Sequence, residues 1–283
     1  MLDVNIKVAS PSGNLSLFSV KHLFAGWRRA EGITKSGREL ASRFRSLLTG
    51  HKLTPAELLR IVPESWEWRL GDVESDAALL SVLGSRELAW LEATFGVRRG
   101  WLEGDGSAIY DWPMGYKQPA VFAQTLREMG WVDEHLRMTV LSAGYERGSD
   151  GPLGFFTLVF SYPIAEWDRG EKVVYRHLNF DTGRMDWSHP PCVWDALALT
   201  RWFIDEAGRY KRVPIVPCIF DKVRAVADGT AFPGAVVPWG LGGFDQMQDR
   251  VMDSRAQEGY RVPCPADGLE DALQYGREVG LLE

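Results

Sequence analysis

The stretch Leu88-Ala89-Trp90-Leu91-Glu92-Ala93-Thr94-Phe95-Gly96-Val97, followed by Trp101-Leu102-Glu103-Gly104, decides how the first third of this sequence reads. Leu88, Leu91 and Phe95 recur at helical spacing, so the segment predicts a helix from Arg86 to Thr94, capped by Ser85. Gly96 ends it, since glycine takes the left-handed backbone of a helix stop without steric cost. Val97 and Trp101 then pack back on the helix in a last turn, Val97 to Leu102, before Gly104-Asp105-Gly106.

Working back toward the amino terminus, Leu40, Phe44, Leu47 and Leu48 form one apolar stripe and predict a helix over 36–48, stopped at Gly50. Thr54-Pro55-Ala56-Glu57 has the residue types of a capping box with proline in the first turn, so a second helix begins there and ends at Pro63. Ser65 to Leu70 predicts a short third helix stopping at Gly71, and Ala77 to Leu83 a fourth, closed by Gly84. Residues 1–19 read as a loose arm or a short strand.

The block 36–104 resembles the lambda-repressor-like (XRE-type) helix-turn-helix transcriptional regulators. Leu53-Thr54-Pro55-Ala56-Glu57-Leu58-Leu59 looks like the start of their second helix. Leu88 to Val97 with Trp101 to Gly104 looks like their penultimate helix and closing segment. The resemblance implies a DNA-binding domain, 20–106, with a recognition helix in the major groove of operator DNA, bound as a homodimer on a two-fold site, as in a repressor. Ser65 and Arg69 then face the groove, Arg43, Arg45 and Lys52 contact phosphates, and Thr54 turns the amino end of the second helix toward a phosphate. Arg69 has a plainer use as the partner of Glu67 or Asp72. Charge agrees in part: residues 20–60 carry nine basic and three acidic residues, whereas residues 61–110 carry four basic and nine acidic. The chain departs from the family between Val62 and Gly71, which is short and holds Trp66, Glu67 and Trp68 where base-reading side chains are expected. That departure carries the alternative: a protein-interaction adaptor that keeps a degenerate helix-turn-helix fold without reading DNA.

Residues 107–137 read as an aromatic- and proline-rich connector (Ile109, Tyr110, Trp112, Tyr116) followed by a helix over 122–130. The period then changes. Met138–Leu141, Phe155–Tyr162 and Lys172–Phe180 are rich in β-branched and aromatic residues and predict strands, with turns at 148–151, 168–170 and 181–183. A helix over 193–209, an edge strand over 213–220 weakened by Pro214 and Pro217, and a helix over 221–228 follow. Residues 229–268 are rich in glycine and proline and read as loop; a helix over 269–279 closes the chain. The fold class is a helical domain followed by a small antiparallel-sheet α+β domain, 138–283. Its element order is similar to sensory domains of the PAS or profilin-like type, by analogy alone. Such a domain serves dimerisation or senses a small-molecule or protein effector, with Phe160, Tyr175, Trp194 and Trp202 as candidate pocket residues.

Composition narrows the remaining classes. The chain has 283 residues, 45% hydrophobic and 25% charged, with a net charge of −6, which suits a folded protein and not a uniformly basic nucleic-acid binder. It carries no apolar run of membrane-spanning length, and its start lacks a signal-peptide pattern. Three cysteines, Cys192, Cys218 and Cys264, argue for a reducing cytoplasm rather than a disulfide framework. His189 and Cys192, with His177 and Asp186 elsewhere, lack the paired spacing of a zinc site. Gly240 to Gly243 lacks the pattern of a phosphate loop. Neither a catalytic residue nor a cofactor or metal is expected; an unrecognised enzyme within 138–265 is the weaker alternative.

Overall fold

In the computed structural model, which describes residues 33–113, 117–143, 154–167, 172–208, 212–236, 245–246 and 266–283, the first helix is α1 (Lys35–Gly50). It buries Ala41, Phe44, Leu47 and Leu48, the stripe that the spacing predicts. The arm or strand at 1–19 lies outside the described residues, as do the turns at 148–151 and 168–170 and the glycine cluster at 240–243.

Helix α2 (Pro55–Leu58) opens on the expected capping box: the Glu57 N–H donates to Thr54 Oγ1 (3.2 Å) and the Thr54 N–H to Glu57 Oε2 (2.8 Å). The helix is a single turn, and the third helix expected at 65–70 does not form. A 3-10 turn occupies Glu64–Trp66, Glu67 takes a left-handed conformation (φ 53°), and α3 (Leu70–Glu74) begins near the expected stop and runs through Gly71. The cause is the tryptophan pair. Residues i and i+2 of a helix do not face each other, yet the rings of Trp66 and Trp68 meet at 5.1 Å, and Trp66 also meets Trp90 at 5.1 Å.

Helices α4 (Asp76–Val82) and α5 (Ser85–Phe95) follow. The cap of α5 is Gly84 rather than Ser85: Glu87 Oε2 accepts the Gly84 N–H at 2.9 Å, leaving Ser85 as the first helical residue. Gly96 (φ 72°) ends α5 as predicted; Val97 bridges to Tyr110, and α6 (Arg99–Glu103) ends at Gly104. The connector is ordered by backbone contacts to the far end of the chain. Ile109 and Tyr110 both donate to the Gly229 carbonyl (2.7 and 3.1 Å), and Trp112 Nε1 donates to that of Val226 (2.8 Å). Helix α7 (Pro119–Glu128) completes the first half.

The rest comprises β1 (Arg137–Ala143), β2 (Phe155–Trp167), β3 (Lys172–Asp186), α8 (Pro190–Ala207), β4 (Pro214–Cys218), α9 (Phe220–Ala227), β5 (Asp245–Gln246) and α10 (Ala266–Glu278). The sheet order is β3-β2-β1-β4-β5. Strands β1 to β3 form the expected antiparallel meander, but the sheet is mixed, because α8 carries the chain back so that β4 runs parallel to β1. Two further expectations are corrected. Asp181-Thr182-Gly183 does not end the third strand; the shift of register between Phe156 and Leu158 absorbs these residues, and pairing resumes at Met185 and Asp186. Strand β4 is not outermost, since β5 pairs with Pro214 and Ile215.

One face of the sheet, with Met138, Val140, Leu158, Phe160, Leu178 and Phe180, packs on α7 and α8. On the other, Leu141, Val159 and Val216 meet Val223 and Val226 of α9. Buried side chains of the helical half, of β1 to β4, of α8 and of α10 form one continuous cluster, so the helical half and the sheet share a core. Among the described residues no helix is long and apolar enough to cross a membrane.

Phe232, beside the 3-10 turn Pro233–Ala235, is the wedge between the halves: it meets Trp101, Tyr110 and His51 at 5.6 to 5.9 Å. A Cβ on Gly50 would stand 2.2 Å from its ring. Alanine is the better helix former by about 1 kcal/mol, but overpacking dominates here. Gly50→Ala is expected to lower stability by about 1–3 kcal/mol, read as the shift of the urea unfolding midpoint.

Candidate functional site

Three of the six candidate DNA contacts, Arg45, Arg43 and Thr54, have their side chains bonded within the protein. Arg45 places Nε and Nη2 on Asp76 Oδ1 (3.1 and 2.9 Å) and reaches the carbonyls of Val73 and Glu74, fastening α1 to the α3–α4 junction. Arg43 lies over the Trp101 ring at 5.2 Å, donates to the Gly106 carbonyl (3.2 Å) and pairs with Glu39 (3.5 Å). Lys52 sits in a left-handed turn (φ 55°), its carbonyl accepting from Lys172 Nζ at 2.6 Å; burial and the Lys172 charge push its ammonium pKa down. The Thr54 hydroxyl closes the capping box, donating to Glu57 Oε2 at 2.9 Å. Ser65 and Arg69 stand exposed. It is the backbone N–H of Arg69 that Asp72 accepts (2.8 Å), capping α3. Around them, Glu64, Glu67, Asp72, Glu74 and Asp76 outnumber Arg69 between Pro63 and Asp76.

The candidate pocket residues do not converge. Phe160 is buried between Phe122 and Phe203, and Tyr175 occupies the opposite face of the sheet by strand alternation, with Arg137 over its ring at 4.9 Å. Trp194 packs on Tyr275. Trp202 is the one that lines a cleft, a space of about 640 Å³ between α8 and α10 bordered by Leu273, Arg277 and Leu281. Its Nε1 is buried, without an acceptor among the described residues.

Sequence reasoning missed the polar seam between α1 and the sheet. His51, just past α1, is buried among Phe95, Phe232 and His177. Its Nδ1 lies 2.9 Å from the Tyr175 carbonyl. A carbonyl only accepts, so Nδ1 carries the proton and Nε2 is left to accept from the Tyr110 hydroxyl at 3.4 Å. Burial, opposed by that carbonyl bond, lowers the His51 pKa to about 4. Burial, then His51 and Lys52, hold His177 well below the usual histidine range. His177 Nδ1 meets Ser161 Oγ at 2.9 Å, and Thr157 donates to Asn179 Oδ1 at 3.0 Å beside it. The Ser161–His177 pair has the atoms of a nucleophile and its base. Both are buried, and the contact ties β2 to β3. The available signal was polar residues at Ser161, His177 and Asn179 interrupting otherwise apolar strands.

Of the metal-type residues, Cys192 Sγ lies 3.6 Å from His189 Nδ1. No third ligand joins them: among the described residues no group of three His, Cys, Asp or Glu is assembled. Cys218 packs beside the α9 cluster, where burial pushes its thiol up to about 11, and Cys264 lies outside the described residues. Asp186 accepts from Ser188 in a local turn, while Asp195, fully buried in α8, accepts from Tyr275 (2.7 Å) and the Lys117 N–H (3.1 Å).

No protein-family model, curated protein or solved structure matches this chain.

The seam sets a pH limit. A neutral buried histidine leaves stability unchanged above its unfolded pKa of 6.5; below it the unfolded chain takes up a proton that the folded state refuses until the pH nears 4. His51 alone is expected to remove about 2 kcal/mol of stability between pH 6.5 and about pH 5, read as the urea midpoint across that range. His51→Gln is expected to flatten that slope.

Proposed function

We propose that this protein is an interaction adaptor: its helical half keeps a helix-turn-helix-derived scaffold and engages a protein partner, and the α+β half is the platform that holds it. The observation that carries the reading is the commitment of Arg43, Arg45 and Thr54 to internal partners beside an acidic Pro63–Asp76 segment. Phosphate recognition needs cations that point outward, and an acidic surface repels the duplex. The segment in the place of the recognition helix is a 3-10 turn and a five-residue helix, too short to lie along a major groove. What it presents instead is half-buried Trp66 and Trp68 and exposed Leu70, flanked by Glu64, Glu67 and Asp72. Aromatic anchors with a charged rim are typical of protein contacts, and this rim suits a basic partner.

The second reading is the DNA-binding regulator, a homodimer on operator DNA with a dimerising or PAS-like sensing α+β half. It is favoured by the exposure of Ser65 and Arg69 where groove-facing residues would stand. The mobility of the full chain with duplex DNA from its own upstream region, across a salt series, separates the two. The adaptor reading expects no discrete complex that outlasts competitor DNA. A salt-sensitive, competitor-resistant complex that Arg69→Ala weakens would replace it with the regulator.

A further inference from the structure

We propose a second site: a cleft between the end of α5 and β3 that binds a small oxyanion, a carboxylate or phosphate group, on Arg176 and Arg98. The cleft has a volume of about 420 Å³ and is walled by Ala93, Gly96, Arg98, Arg99 and Arg176, with Glu92 and Asp111 also lining it. It is independent of the adaptor reading.

Arg176 is the unusual group. It reaches from β3 across the seam, and its Nη1 donates to the Ala93 carbonyl at 2.7 Å. Its Nε is buried and has no acceptor among the described residues. No described carboxylate pairs with it; its electrostatic relief is the ring of Trp131, 5.6 Å from the guanidinium carbon. Burial accordingly lowers its pKa. A partly desolvated guanidinium with no carboxylate beside it is costly until an anion meets it, and its planar fork matches a carboxylate or phosphate.

The surroundings leave room for one. A Cβ on Gly96 would stand 3.0 Å from Arg176 Nε, and the backbone there is left-handed (φ 72°), so glycine serves the cleft as well as the helix stop. The Arg98 backbone is bonded to Ile109 and Leu102, while its exposed side chain has no hydrogen bond or ion pair among the described residues. Arg99 is held by Glu103 and Ser85, both at 2.9 Å, which leaves Arg98 as the free cation opposite Arg176. Glu92 and Asp111 limit the net positive charge, so the cleft suits a single oxyanion on a larger polar molecule rather than a polyanion.

The test is thermal unfolding of the full chain against sodium acetate and, separately, sodium phosphate, with ionic strength held constant by sodium chloride. At least one salt is expected to raise the melting temperature saturably. Saturation by acetate alone assigns a carboxylate ligand, by phosphate alone a phosphate. Arg98→Gln, which touches no packed group, is expected to weaken the effect about tenfold. Arg38→Gln, the same charge change at an exposed position on α1, should leave it unaltered. Two results would overturn the site: no saturation by either salt, or the same response in Arg98→Gln as in the unmodified chain.

Discussion

The structure depends on the insertion of the end of α1 into the polar face of the sheet. At Gly50 the helix gives up its side chain so that Phe232 can lie against it, and one residue later His51 enters the same space as a neutral ring. Its two nitrogens have opposite duties, one donating to a strand carbonyl and the other accepting from Tyr110. This joint is polar, yet it is enclosed by Phe95, Phe232, Trp101 and Tyr110, so its hydrogen bonds act in a medium of low dielectric. That makes each bond directional and each unmet donor expensive. The relative placement of the helical half and the sheet is therefore set by chemistry as well as by apolar area.

The same joint explains why the basic residues of α1 do not form an outward patch. With its far end held in the sheet, the helix lays Arg43 over Trp101 and brings Arg45 to Asp76. Both guanidiniums act as fasteners between neighbouring elements. What remains outside is the Trp66–Leu70 segment, where paired indoles have replaced a continuous helix. Arg176 makes the corresponding bridge from the sheet side, with a buried Nε that has no acceptor among the described residues.

Much of the secondary structure was legible because it rests on local pattern. The α1 stripe, the Thr54–Glu57 box, the Gly96 stop and the three meander strands are all decided within a few residues. The misses share one cause, long-range contact overriding a local signal. Trp66 breaks a plausible helix to meet Trp68 and Trp90, and Asp181-Thr182-Gly183 looks like a turn until partner pairing resumes beyond it. Pro214 and Pro217 look like an edge strand, but β5 arrives from within the glycine- and proline-rich stretch. The candidate site was less legible still. Charge and type singled out Arg43 and Arg45, but whether a guanidinium faces water or Asp76 is a matter of tertiary distance. His51 gave no periodic cue, and Arg176 looked like any exposed residue on a strand.

Phe232 gives the fold an order in time. It is the wedge that closes the packing of α1, α6 and the connector, and it lies after nearly all of the sheet in the chain. During synthesis the early helices emerge first and collapse locally, but their inner faces stay open toward a residue the ribosome has yet to add. The loop that must close to seat that residue is long, and its entropy is lost in a single step. The helical half is thus finished later than its place before the sheet implies, and its nascent chain passes through a long interval with apolar surface uncovered, the circumstance in which chaperones bind.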